Sequence, residues 1–262
     1  MRLFICLVLL WLVLPSGFLL ADSTPRVLFD QGHGQVFTIE KKGPLHLGTF
    51  AEQFRLAGWQ VAATGETLTA GVLADVDALV VSGAFTPFSP DELKLIEGFL
   101  KRGGRLAVML HIPQPLTHLL GKLGVTYANG VLLEGDAART IDGSPGDFNV
   151  SNFTGHPLTQ GLGSLAVYGC WPLKPIRANA QTLASTSPTS WIDLNRDQQF
   201  SAGEPRQPFG VLVTGKVGLR EYVIFGDDAI FQNRFLAGEN EKIADNLRRW
   251  MFPMTTRQGV DI

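Results

Sequence analysis

Oxygen-bearing side chains recur at a fixed spacing in Asp193-Leu-Asn195-Arg-Asp197-Gln-Gln199-Phe-Ser201-Ala-Gly-Glu204. They fall at loop positions one, three, five, nine and twelve, with an apolar residue at eight, which is the ligand spacing of a calcium loop. Calcium takes roughly six to eight oxygens at about 2.3–2.6 Å. The expected ligands are Asp193, Asn195, Asp197, Gln199 and Glu204, with Glu204 closing the shell through both oxygens. One position departs: Gln198 stands sixth, where such loops use glycine for a sharp turn. The competing reading is an acidic surface turn, because Asp and Asn collect in turns for backbone reasons alone. Pro188 upstream and Pro205 and Pro208 downstream oppose flanking helices. A bound calcium would therefore staple a loop between strands and be structural.

A second constellation is scattered along the chain. Asp30, Gln31 and His33 follow one apolar run, Ser82 and Gly83 another, His111 a third, and Asp227 and Asp228 a fourth. In an open parallel sheet, ligands bind beyond the carboxyl ends of the strands, and that rule gathers these residues on one rim. Asp30, Gln31, His33, His111 and Asp228 are the candidate ligand-binding residues. Asp228 is preferred to Asp227, which can point inward from its strand. Two histidines with neighbouring carboxylates could hold a transition metal or form an acid–base pair. They could equally cap turns and bond to backbone carbonyls. Gly32 and Gly34 let the chain turn sharply around His33. His156-Pro157 reads as a turn, and His46 and His118 show no partner.

The elements that would position these groups alternate in type. Strands are expected at 26–30, 59–63, 77–81 and 105–110, with helices over 47–57, 89–102 and 115–123 between or after them. Ser89-Pro90-Asp91-Glu92 is a capping box with proline in the first turn. The alternation predicts a flavodoxin-like α/β fold with a mainly parallel central sheet covered on both faces. The second half reads differently. Residues 130–152 are expected to be long loops. Strands follow at 164–169, 181–185, 209–214 and 222–225, with a hairpin connection at 215–218. A helix over 239–251 closes the chain, with Asn240 as an N-cap and Asn246 packing or bonding.

The 262 residues are 45% hydrophobic and 18% charged, which suits a globular chain with an ample core. The net charge of −2 and the lack of a basic run argue against nucleic acid as a partner. Met1-Arg2 followed by apolar Leu3 to Leu20 reads as a secretory signal over 1–23, cut after Ala21 or Ser23, with 24–262 as one domain. The rival is an uncleaved anchor, although Pro15, Ser16 and Gly17 interrupt the run. Removal of the segment would leave no membrane span and place the protein in the periplasm or outside the cell. Cys170 would then be the lone cysteine, expected to be buried and inert.

Several motifs in order carry a resemblance. Phe29-Asp30-Gln31-Gly32-His33-Gly34 ends the first strand, and a helix with Gly103-Gly104 spans 89–104. Then come Gly155-His156-Pro157-Leu158-Thr159-Gln160-Gly161, Phe225-Gly226-Asp227-Asp228, and the segment from Asn240 through Asn246 to Trp250. Over residues 26–252 the chain resembles the class I glutamine-amidotransferase-like superfamily. More narrowly, it is similar to a non-catalytic branch that includes domains beside ABC transporters of the gliding-motility type. Catalytic members carry a cysteine after the strand equivalent to 105–110. Here that place reads Leu110-His111-Ile112-Pro113, so the resemblance implies the scaffold without its nucleophile. The expected function is an exported binding or accessory domain, serving a small molecule or an envelope protein. The alternative is a hydrolase of an envelope or sugar-like substrate that uses the Asp and His groups of the rim.

Overall fold

The structure is a computed structural model that describes residues 24–218 and 220–252; the signal expected over 1–23 lies outside them. The first half alternates: β1 (Arg26–Asp30), α1 (Gly48–Leu56), β2 (Gln60–Thr64), α2 (Ala70–Leu73), β3 (Ala78–Ser82), α3 (Pro90–Lys101), β4 (Arg105–Met109) and α4 (Thr117–Leu123). Short strands follow: β5 (Val125–Tyr127), β6 (Val131–Leu133), β7 (Thr140–Ile141), β8 (Ser144–Val150), β9 (Asn152–Phe153), β10 (Leu165–Tyr168) and β11 (Leu173–Pro175). The chain then forms β12 (Ala180–Ser185), β13 (Trp191–Asp193), β14 (Gly210–Val217), β15 (Arg220–Phe225) and α5 (Glu239–Met251).

The main sheet runs β2-β1-β3-β4-β15-β14-β11-β5. Strands β2, β1, β3, β4 and β15 are parallel, and β14 then pairs with β15 in the opposite sense. This is the flavodoxin-like strand order, with the chain's last strand in fifth place and an antiparallel extension beyond it. β1, β3, β4 and β15 are apolar on both faces because both faces are covered. Phe29, Val80, Met109 and Phe225 face the layer containing Phe50 and Phe54 of α1 and Ile243 and Leu247 of α5. Leu28, Leu79, Val108 and Ile224 face Leu73 of α2, Ile96 and Phe99 of α3 and Leu120 of α4. Phe29 lies edge-on to Phe50 and Phe54, with ring centroids 5.9 and 6.0 Å away. Each such fully buried side chain stabilises the fold by roughly 1.5–3 kcal/mol.

α3 begins as its residues dictate. Ser89 Oγ accepts the Glu92 N–H at 3.3 Å, and Glu92 Oε2 accepts the Ser89 N–H at 2.9 Å. Two expectations need correction. Residues 130–152 are not long loops: β8 pairs antiparallel with β10 and β7, and β6 pairs with β13. Ser144, Pro145 and Gly146 disguise β8, whose later part buries Phe148 and Val150 in strand alternation. Asn240 is not the cap of α5, since Gly238 holds that place. Its side chain instead bridges to β10, accepting the Ala166 N–H and donating to the Ala166 carbonyl, both at 3.1 Å. Asn246 donates to the carbonyls of Leu158 and Gln160, at 3.0 Å each.

Candidate functional site

The strand order reverses direction at β1, which lies between β2 and β3. The crevice expected there for a ligand holds a side chain of the protein itself. His33 Nδ1 donates to both oxygens of Asp30 at 2.9 Å, and Nε2 donates to Glu92 Oε1 at 3.1 Å. Both partners are carboxylates, so both ring nitrogens act as donors. Gln35 completes the cluster: its Nε2 donates to Asp30 Oδ2 at 2.6 Å, and its Oε1 accepts the His33 N–H at 2.7 Å. The His33 ring stacks on Phe88 at 3.7 Å between centroids. Gly32 is required here, because a Cβ would come within 2.2 Å of the Glu66 carbonyl oxygen.

Asp30, His33, Gln35 and Glu92 are all buried. Burial works against the charge on His33, but the hydrogen bond and charge of Asp30, reinforced by Glu92, raise its pKa above the ordinary value. Burial likewise opposes the Glu92 carboxylate. The N–H groups of Ser89 and Leu68, together with His33, nevertheless pull its pKa down. Gln31 is drawn off elsewhere. It donates to Glu40 at 3.1 Å and accepts the Ile39 N–H at 2.9 Å, so it ties down the loop after β1.

A different arrangement stands at the ends of β3, β4 and β15. His111 Nδ1 lies 3.2 Å from Asp228 Oδ1, with the imidazole 38% exposed and the carboxylate buried. Its ring is flanked by Phe37 and Phe85 at 5.2 and 5.3 Å, and its carbonyl accepts the Trp171 indole N–H at 2.9 Å. The hydrogen bond that His111 donates to Asp228 outweighs partial burial and raises the His111 pKa. Burial raises that of Asp228, against the pull of His111. Among the described residues Asp228 Oδ2 and Ser82 Oγ are buried without a hydrogen-bond partner. Gly83, at φ +61°, passes so close that a Cβ there would lie 2.8 Å from Asp228 Oδ2. Asp227 points inward and accepts the N–H groups of Tyr168 and Ala229 at 2.6 and 2.8 Å. Burial, then the charge of Asp228, pushes its carboxyl well above the usual range.

The fold thus brings the predicted rim residues to one end of the sheet but divides them between two networks. Glu92 and Gln35 were not foreseen as partners of His33; Glu92 was legible only as a capping residue. Glu134 was also missed. Buried, it accepts the hydroxyls of Ser187, Thr189 and Ser190 at 2.8, 2.5 and 2.9 Å, which ties the 187–190 turn to β6. His156 fixes a turn, its Nδ1 accepting the Leu158 N–H at 3.2 Å. Cys170 is buried, and burial pushes its thiol well up.

In the acidic loop, Asp193 is buried at the end of β13 and accepts the N–H groups of Arg196 and Gln198 at 2.6 and 3.2 Å. Asn195 Oδ1 accepts the Asp197 N–H at 3.1 Å, and Asp197 Oδ1 accepts the Gln199 N–H at 2.8 Å. Glu204 accepts the N–H groups of Leu194 and Ser201, both at 2.9 Å. Gln198 sits at φ +60°, so the sharp sixth-position turn is made without glycine. The donor set is all oxygen, which suits calcium in kind. The carboxylates, however, are engaged with the loop's own backbone. Among the described residues no three His, Cys, Asp or Glu side chains group closely enough to hold a metal ion.

No protein-family model and no curated protein matches the chain. In fold it is similar to the N-terminal domain of mmIFT52, with a TM-score of 0.69 and 17% identity over 86% of this chain and 96% of that one. It is also similar to a cytoplasmic protein from Salmonella typhimurium LT2, with a TM-score of 0.53 and 16% identity over 86% and 98%. A thua-like protein from Bacteroides uniformis matches with a TM-score of 0.49 and 13% identity over 91% and 95%. At these identities the likeness is one of fold. With the strand order, it agrees with a flavodoxin-like three-layer scaffold. Among the described residues no helix is long and apolar enough to cross a membrane.

Proposed function

We propose that the chain is an exported, non-catalytic binding or accessory module on this scaffold, which offers its His111–Asp228 rim to a small molecule or an envelope protein. The observation that carries the reading is the separation of the two histidines. His33 has both nitrogens bonded to buried carboxylates, so it cannot exchange a proton with a substrate or with His111. The place of the superfamily's cysteine nucleophile belongs to His111, and the only thiol among the described residues, Cys170, is buried. What remains open at the rim is an oriented imidazole between two aromatic rings, a recognition feature. Export follows from the sequence at 1–23, and the link to an envelope transport system from the resemblance to the gliding-motility-type branch. The test is retention of envelope material on the immobilised full chain. A species held by the native protein and released by His111→Ala is expected. Equal retention on both, or none on either, overturns the reading.

One observation favours a second reading. Asp228 holds His111 Nδ1, and among the described residues Nε2 is unbonded, as in a general base that draws a proton from water. That would make the chain a hydrolase of an envelope or sugar-like substrate. Turnover abolished in His111→Ala while ligand binding persists would replace the first reading with this one.

The acidic loop is proposed as a structural calcium site, supported by its spacing and by the left-handed turn at Gln198. Ion binding would draw Asp193, Asn195, Asp197, Gln199 and Glu204 inward. Calcium at a hundredfold excess over its dissociation constant should stabilise the chain by about 2.7 kcal/mol. That gain should vanish in Asp193→Ala, and identical melting with and without chelator would remove the proposal.

A further inference from the structure

A cleft of about 670 Å³ opens between α3, α4 and the end of β14 with Gly218 beyond it. Its size is that of a small-molecule site. The charges along it are uneven: Lys122, Arg177 and Lys216 line it, His118 adds a titratable imidazole, and Lys101 lies beside Gly218 at its edge. Among the described residues the one lining carboxylate, Glu97, is already paired with Lys101 at 2.6 Å. The chain as a whole has a net charge of −2, so this concentration of positive charge is local. A concave surface lined by one sign focuses the field and raises the local concentration of the opposite sign.

Arg177 is held along its stem, and the main chain of Lys216 is fixed at the edge of the cleft. The aliphatic stem of Arg177 lies against Gly124, where a Cβ would come within 2.9–3.0 Å of three of its carbons. Its Nη1 donates to the Lys122 carbonyl at 3.2 Å, which leaves the other guanidinium donors unbonded among the described residues. Asn179 clamps Lys216 through its backbone: Asn179 Nδ2 donates to the Lys216 carbonyl at 2.6 Å, and the Lys216 N–H donates to the Asn179 carbonyl at 3.0 Å. The Lys216 ammonium has only a 3.6 Å contact with Glu221, and that of Lys122 has no partner among the described residues. A guanidinium fixed by its stem, with donors still open, binds an oxyanion at less ordering cost than a mobile one, and the two ammonium groups add charge beside it.

We propose that this cleft binds a small ligand carrying two or more oxyanion groups, phosphate or carboxylate. A single charge would engage one cation, whereas two or more can bridge Lys122, Arg177 and Lys216 together.

Isothermal titration of the full chain with pyrophosphate and with citrate tests this. Saturable binding of at least one is expected at low salt, with affinity falling tenfold or more between about 20 and 200 mM salt as screening shortens the field. The double variant Lys122→Gln, Arg177→Gln should lose at least tenfold, while His111→Ala should bind as the native chain does. A preference for pyrophosphate assigns the ligand to phosphates and a preference for citrate to carboxylates; equal binding keeps the shared chemistry. No saturable binding of either probe overturns the proposal, as does an affinity in the double variant within twofold of native. If the double variant does not fold, Lys216→Gln alone serves, with a fall of threefold or more expected. The His111→Ala control separates this site from the rim, so either can fail without the other.

Discussion

His33 and His111 stand at the same end of one sheet, each against a buried aspartate, and differ in what surrounds them. Around His33 every polar atom has a partner: both nitrogens, both oxygens of Asp30, both oxygens of Glu92 and both ends of Gln35. Around His111 the bonding among the described residues is incomplete, with Asp228 Oδ2 and Ser82 Oγ buried and unpaired and Nε2 unbonded. A satisfied buried network specifies a fold. Unsatisfied polarity tends to persist where function retains it. The pair teaches that a strand-end histidine beside an aspartate has no fixed meaning until its second nitrogen is accounted for.

The largest effect expected from this contrast is on stability. His33→Ala leaves Asp30 and Glu92 buried without their cation, which should cost about 3–5 kcal/mol. His111→Ala removes a half-exposed pair and should cost about 1 kcal/mol or less. Urea denaturation of both variants measures the difference. Equal losses would erase the distinction between a structural and an available histidine.

Acidity gives the next test. The folded His33 pKa lies above its ordinary 6.5, so its contribution is fully present below 6.5 and is lost as pH rises through the raised value. That of Glu92 lies below its ordinary 4.5, so its contribution is present above 4.5 and is lost as pH falls through the lowered value. The advantage of the native chain over His33→Gln should therefore be greatest between 4.5 and 6.5 and shrink on either side. His111 has the same sign but faces solvent, so His111→Gln should alter the profile less. An advantage of His33 that stays constant across pH would mean a network built on a neutral ring.

What was legible in the sequence follows the same division between local and distant partners. β1 and α3 were read from contiguous residues, because an apolar run and a capping box are complete within a few positions. β5 and β11 span three residues each, too few for a two-residue period to declare itself. The strand-end rule brought Asp30, His33, His111 and Asp228 to one edge. It could not say that Glu92, 59 residues from His33, would take the second nitrogen. Nor could it show that the hydroxyls serving Glu134 come from 53 to 56 residues away. Composition marks a buried carboxylate as improbable, and only the fold supplies its partners.

A smaller change sharpens the contrast at its open side. Gly83→Ala places a Cβ 2.8 Å from Asp228 Oδ2 at a backbone φ of +61°. The conformation alone should cost about 1–2 kcal/mol, and the displaced carboxylate should let the His111 pKa fall back toward 6.5. Proton resonances of the His111 ring followed through a titration report that fall. An unmoved titration would show that Asp228 keeps its hold without the glycine.

The smallest expected effect on stability is the most informative about purpose. Ser82 Oγ is buried without a partner among the described residues, so Ser82→Ala removes a desolvated group rather than a bond. Stability should hold or rise by up to about 1 kcal/mol. If the rim binds a ligand, affinity should fall in the same variant, because a hydroxyl kept unpaired at a binding edge is available to what arrives there. A gain in stability with a loss of binding would mark Ser82 as retained for function. A loss of stability beyond about 1 kcal/mol would instead show that the hydroxyl has a structural partner, such as an ordered water. The His111 side would then be nearly as closed as the His33 side.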